Sequence, residues 1–208
     1  MTTFQYGDRI AILGFSTSGK SYLAKKIILA FKRTIVWDTT GEHQELGVVV
    51  TAPEQIQYYW ERGVTNLVIE PEQEPDTGLF QSCMATVYSY LDNAMILVDE
   101  ADLYADKNVI LPEFATIVKR GAKKRLGYIA VARRSPELHN LVLSQAHYII
   151  AFYHHHPNDI AFLKKWIPAP SNGSGDLEID LKSLTGQYEH YFILYDKRMK
   201  TCLIQQPV

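Results

Sequence analysis

The sequence predicts an α/β fold of three layers, with a mainly parallel central sheet between helices and an antiparallel hairpin at the C-terminus. Three observations predict it. Short β-branched runs alternate with longer segments of helical period, the pattern of strand-helix-strand units. The run Ala94-Met95-Ile96-Leu97-Val98 is apolar at every position, as expected of a strand buried on both faces. The chain then closes on two strand-like runs, 191–195 and 201–205, joined by a polar turn over 196–200.

Taken in order, residues 9–13 form a first strand that runs into a glycine-rich turn. A helix over 20–31 follows, with Leu23, Ile27 and Ala30 on one face. Residues 34–38 read as a strand ending in Asp38, with a turn over 39–43, and 48–51 as a third strand. Pro53 opens a helix over 53–62, since proline lacks only an N–H that the first turn cannot use. A strand over 66–70 precedes a long helix over 77–93, where Leu79, Cys83, Val87 and Leu91 recur at helical spacing. The buried strand 94–98 ends in Asp99-Glu100. Helices over 112–124 and 136–146 flank a strand over 126–132, and 148–153 reads as a further strand. A helix over 159–166 is stopped by Pro168 and Pro170, after which 171–175 reads as a flexible linker. The expected organisation is one domain over 1–208, with a core over about 5–167, a linker over 168–176 and the hairpin extension over 177–208.

Composition excludes several classes. With 208 residues, 47% hydrophobic and 21% charged, the chain suits one globular domain. No apolar run approaches the roughly 20 residues that span a bilayer, and residues 1–8 lack the apolar stretch of a secretory signal, so a cytoplasmic protein without a direct membrane span is expected. Cys83 and Cys202 are too few for a disulfide framework and read as buried thiols. The net charge of -2 gives no global attraction to nucleic acid. Locally, Lys119, Arg120, Lys123, Lys124 and Arg125 place five positive charges within seven residues, either a solvated helix end or a phosphate contact.

The chemistry is carried by two motifs. Gly14-Phe15-Ser16-Thr17-Ser18-Gly19-Lys20-Ser21 matches G-x-x-x-x-G-K-[ST] at every specified position, between an apolar strand and a helix. The glycines let backbone N–H groups curl around phosphates, and the helix N-terminus adds its dipole. Lys20 is expected to reach the β- and γ-phosphates of ATP and Ser21 to ligate Mg²⁺, with Tyr22 completing the binding segment. In Met95-Ile96-Leu97-Val98-Asp99-Glu100, Asp99 suits the Walker B role of holding Mg²⁺. Glu100 can orient or deprotonate an attacking water, chemistry for hydrolysis rather than transfer. Alone, such a run also describes a strand followed by a helix cap.

The order of parts resembles the FtsK/HerA superfamily of DNA-pumping ATPases, whose compact members include genome-packaging ATPases of membrane-containing icosahedral viruses, notably the archaeal turreted ones. The resemblance is carried by the phosphate turn, residues 34–38 with Glu42 in the turn after them, and Asp99-Glu100. It continues through the basic stretch before Gly127, Arg133-Arg134-Ser135-Pro136, and Ser144-Gln145-Ala146 before 148–153. It implies a RecA-like P-loop NTPase that hydrolyses ATP with Mg²⁺ while pumping double-stranded DNA into a capsid. Partners implied are a homo-oligomeric ring of five or six copies, the phosphate backbone of DNA and capsid vertex proteins. The location implied is the host cytoplasm or the virion. One departure stands out: where relatives carry a glutamine sensor, this chain has Arg133 and Arg134. Arg133 is expected as a cationic sensor, an arginine finger or a helix-flanking surface arginine, with Arg120, Arg125 and Arg134 as the other candidates for a finger reaching a neighbouring subunit.

Other features carry less. His154-His155-His156 cannot all converge on one ion from an extended segment. Asp99-Glu100-Ala101-Asp102 spells a helicase motif, but that family needs two such domains. Tyr58, Tyr59 and Trp60 read as core or interface aromatics. A P-loop kinase and a non-motor regulatory ATPase remain as alternatives; the kinase leaves Glu100 without a task.

Overall fold

The computed structural model describes residues 3–72 and 75–207. Among the described residues, nine strands form one sheet in the order β3-β4-β2-β5-β6-β1-β7-β8-β9. They are β1 (Arg9–Leu13), β2 (Thr34–Trp37), β3 (Val48–Val50), β4 (Asn66–Ile69), β5 (Ala94–Val98), β6 (Leu126–Ala132), β7 (Tyr148–Ala151), β8 (Phe192–Asp196) and β9 (Thr201–Gln205). The first seven run parallel, whereas β8 pairs antiparallel with β7 and β9 with β8. The expected mixed sheet with its terminal hairpin is therefore present.

Strand periodicity divides the core in two. Ile10 and Ile12 of β1, Met95 and Leu97 of β5, and Ile129 and Val131 of β6 join one apolar cluster. Their alternates Ala11, Leu13, Ile96, Val98, Tyr128 and Ala130 join the other, as a period of two requires. Helices α1 (Lys20–Ile28), α2 (Pro53–Glu61), α3 (Thr77–Tyr90), α4 (Pro112–Arg120), α5 (Asn140–Gln145), α6 (Pro157–Leu163) and α7 (Leu177–Ser183) cover the faces unequally. Among the described residues, α1 is the helix of the first cluster, aided by Phe4, Tyr6 and Leu46, and α2 to α7 serve the second. The expectation of helices on both faces holds with this lopsided division.

Local chemistry sets the boundaries. Pro53 and Pro112 open α2 and α4, and Asp76 caps α3 through Oδ1, which accepts from the Leu79 N–H at 2.8 Å. The helix expected over 136–146 is two pieces, a 3₁₀ turn at Ser135–Glu137 and α5. Between them Leu138 bridges to Asp106 and the His139 N–H donates to the Ala105 carbonyl at 2.8 Å, so the backbone bonds sideways rather than along an axis. The helix expected over 112–124 likewise ends at Arg120 and continues as a 3₁₀ turn. Helix α7, absent from the sequence reading, is capped by Asp176, whose carboxylate accepts from the Glu178 N–H at 2.8 Å. Segment 171–175 is bonded rather than loose. Ser171 N–H donates to the Cys202 carbonyl at 2.9 Å, and Asn172 both donates to and accepts from Ile204.

Candidate functional site

Because β1, β2, β5 and β6 are parallel and in register, with Leu13 beside Ala132, Ala130 beside Val98, and Val98 beside Trp37, their C-terminal ends share one edge. Ligands of open α/β sheets bind at that edge. The residue following each strand carries the chemistry: Gly14 after β1, Asp38 after β2, Asp99 after β5 and Arg133 after β6. Since β6 lies between β1 and β5, Arg133 falls between the glycine turn and the acid pair.

The turn is shaped by its glycines. A Cβ on Gly14 would stand 2.7 Å from Phe152 Cβ, and Gly19 has φ 101, a left-handed conformation that favours glycine. No side chain caps α1 and no acid sits in its first turn, so its N-terminus presents N–H donors and the positive end of its dipole. Lys20 opens that helix and is buried, its Nζ donating to the Phe15 carbonyl at 2.8 Å. Burial lowers its pKa to about 8, against the opposing charge of Asp99. Ser18 Oγ is buried without a hydrogen-bond partner among the described residues.

Opposite stands the acid pair. Asp99 is buried; Oδ1 accepts from the Glu100 N–H at 3.0 Å, and Oδ2 lies 3.3 Å from His43 Nε2. Glu100 has φ 49 and ψ 45, a left-handed conformation uncommon for glutamate and typical of strained functional positions. Its carboxylate is paired with Arg133. Trp37, Phe80 and Tyr104 support this corner from beneath, with the Phe80 and Tyr104 rings stacked at 4.2 Å and Trp37 edge-on to both.

One cavity of about 180 Å³ unites the two motifs. Ser16, Thr17, Lys20 and Ser21 of the turn line it together with Asp99, Glu100 and Arg133, and with Thr40 and Glu42 from the segment after β2. The donors suit a polyphosphate: a buried ammonium, a guanidinium and a free helix N-terminus. Ser21 and Asp99 offer the hydroxyl and carboxylate oxygens that a hard cation such as Mg²⁺ prefers, beside the space phosphates would fill.

Two residues of this corner were missed from sequence. His43 is buried against Asp99, and its backbone N–H donates to Asp38 Oδ2 at 2.7 Å. Burial disfavours its charged form, but the hydrogen bond and charge of Asp99, with help from Asp38, outweigh this and raise its pKa. His190, 172 residues along the chain, meets the Ser18 carbonyl at 3.2 Å through Nδ1. The turn carrying Glu42 was a visible signal for the first; nothing local signals the second.

Other candidates lie apart. Arg120 ends α4 and Arg125 directly precedes β6, at the opposite edge of the sheet, so neither reaches the cavity of its own chain. Lys119, Arg120, Lys123 and Arg125 are exposed, while Lys124 Nζ donates to the carbonyls of Tyr88 and Ser89 at the end of α3. Arg134 is held by Glu137 and Asp159 at 3.0 and 3.1 Å. The three histidines separate: His154 bonds Ser135 Oγ at 2.9 Å, His155 meets the Phe15 ring, and His156 caps α6. Cys83 and Cys202 are buried thiols.

The chain resembles solved structures over nearly its whole length. The genome packaging NTPase B204 of Sulfolobus turreted icosahedral virus 2, in complex with ATP-γS, superposes with TM-score 0.78 at 23% identity, covering 99% of this chain and 100% of that one. B204, the DNA-packaging ATPase of Sulfolobus turreted icosahedral virus, gives 0.76 at 22%, again over 99% and 100%. VirB4 of Thermoanaerobacter pseudethanolicus gives 0.63 at 11%, over 96% and 89%. No family model matches the chain, and no curated protein matches it. At such identities the likeness establishes a shared fold.

Proposed function

We propose that the chain is a Mg²⁺-dependent ATPase that works as a ring to move double-stranded DNA, as a genome-packaging motor does. One observation carries the hydrolytic part: Lys20 and Ser21 from one end of the sequence and Asp99 and Glu100 from its middle face a single cavity. The motor part is supported by the likeness to a genome packaging NTPase.

In this reading the backbone of residues 14–21 and the Lys20 ammonium hold the phosphate chain, and Ser21 with Asp99 hold Mg²⁺. The ion supplies charge neutralisation on the β- and γ-phosphates. Glu100 orients the attacking water and accepts its proton, a role worth about 10²- to 10⁴-fold in rate. Arg133 lines the same cavity and is the arginine the chain itself presents to the terminal phosphate. A finger from another copy falls to Arg120 or Arg125, which the fold keeps away from their own site. Exposed Lys119, Arg120, Lys123 and Arg125 at the far edge supply a surface for DNA phosphates, contacts that are independent of sequence. Phosphate release measured with and without duplex DNA over a range of protein concentrations tests this. Specific activity is expected to rise with both DNA and concentration; activity independent of both would leave a hydrolase without a motor.

A further inference from the structure

The C-terminal hairpin arrives at the phosphate turn. Because β8 runs antiparallel to β7, it begins where β7 ends, with Ile193 beside Ala151, and β9 returns Gln205 to a place beside Phe192. The loop before β8 and the tail after β9 therefore reach the edge that carries residues 14–21. His190 holds φ 67 there and donates from Nδ1 to the Ser18 carbonyl at 3.2 Å; a Cβ on Gly19 would stand 3.0 Å from the same nitrogen.

Between these parts lies a second cavity of about 440 Å³, lined by Gly19, Tyr22, Phe152, His190, Phe192 and Pro207. It is of the size that takes small molecules. Its position follows the polarity of the phosphate site. A triphosphate whose terminal group faces Asp99, Glu100 and Arg133 leaves the turn by its α-phosphate, past the first residues of α1. Tyr22 is the residue after Ser21, and its ring is 55% exposed. Gly19 and Tyr22 line this cavity while Lys20 and Ser21 between them line the phosphate cavity, so the two adjoin across the start of α1.

We propose that this cavity seats the nucleobase by ring stacking and that the site therefore accepts both purines, an inference that rests on the phosphate-site reading above. The described residues of the lining offer the rings of Tyr22, Phe152 and His190, and no carboxylate or carboxamide side chain. Its side-chain polar groups are the Tyr22 hydroxyl and the imidazole, whose Nδ1 is committed to Ser18. Adenine and guanine differ by exchange of donor and acceptor on the ring edge. Telling them apart by about 10⁴-fold needs fixed polar partners, whereas an apolar pocket manages at most about 10²-fold. Aromatic faces accept every base, and the larger purine ring gains more contact than a pyrimidine.

Calorimetric titration with ATP, GTP, UTP and inorganic tripolyphosphate, each with Mg²⁺, tests the inference. ATP and GTP are expected to bind within about tenfold of one another, UTP more weakly, and tripolyphosphate at least about tenfold more weakly than ATP. Tyr22→Ala and, separately, His190→Ala should each weaken ATP about tenfold more than tripolyphosphate, whose retained binding also shows that the variants fold. Tripolyphosphate binding as tightly as ATP, GTP rejected more than about 100-fold, or unchanged ATP binding in both variants would overturn it. The underlying reading fails differently: tripolyphosphate would then not bind, or Lys20→Ala would leave its binding intact.

Discussion

A buried cation with a carbonyl as its hydrogen-bond acceptor is costly unless an anion completes it, and Lys20 is in that position. Burial penalises its charged form and lowers its pKa to about 8. A polyphosphate beside it favours the ammonium and raises that value, so binding above pH 8 takes up a proton. Affinity for ATP is therefore expected to be flat below pH 8 and to fall by up to about tenfold per unit above it. Titration in buffers of different ionisation enthalpy, from pH 7 to 10, checks both the slope and the proton uptake. At this scale the sequence was informative where function is written in consecutive residues. The phosphate turn and the acid pair are local motifs, whereas His43 and His190 gain their partners only through chain folding, across 56 and 172 positions.

Elements were legible in proportion to how locally their physics is set. Strands β5 and β6, and β1 from Ile10 onward, carry no charged side chain because both faces are buried, and that signal survives without any knowledge of neighbours. Helix ends were less so. The break at Leu138 and His139 depends on bonds to Asp106 and Ala105, and α7 depends on one cap after a polar stretch. The join between the first strand and the hairpin is also long-range. Asp8, just before β1, accepts from Gln5 N–H at 2.9 Å and Arg198 Nη1 at 2.8 Å, with His147 Nδ1 at 3.3 Å. Burial raises the carboxyl, but His147, the Gln5 N–H and Arg198 together outweigh it, so its pKa lies below the usual 3.8. A carboxylate depressed in the folded state stabilises above its unfolded value and loses that contribution as pH falls through the folded one. Asp8→Asn is expected to cost about 1–3 kcal/mol near neutral pH, with the difference from the natural chain shrinking below about pH 4. Urea unfolding at pH 7 and pH 3 measures it.

At the scale of the molecule, a parallel sheet gathers the ends of four strands at one edge, and the antiparallel hairpin returns two more segments to it. The alternation of strands and helices made the parallel part readable. The hairpin looked like an appendage, because antiparallel pairing on β7, which brings His190 home, leaves no local trace. The proposed hydrolysis requires that the cradle and the acid pair act on one triphosphate. Single-turnover hydrolysis by Glu100→Gln tests this most directly. The variant is expected to bind ATP with unchanged affinity and to release phosphate about 10²- to 10⁴-fold more slowly. Release at the natural rate, with ATP bound as before, would contradict it.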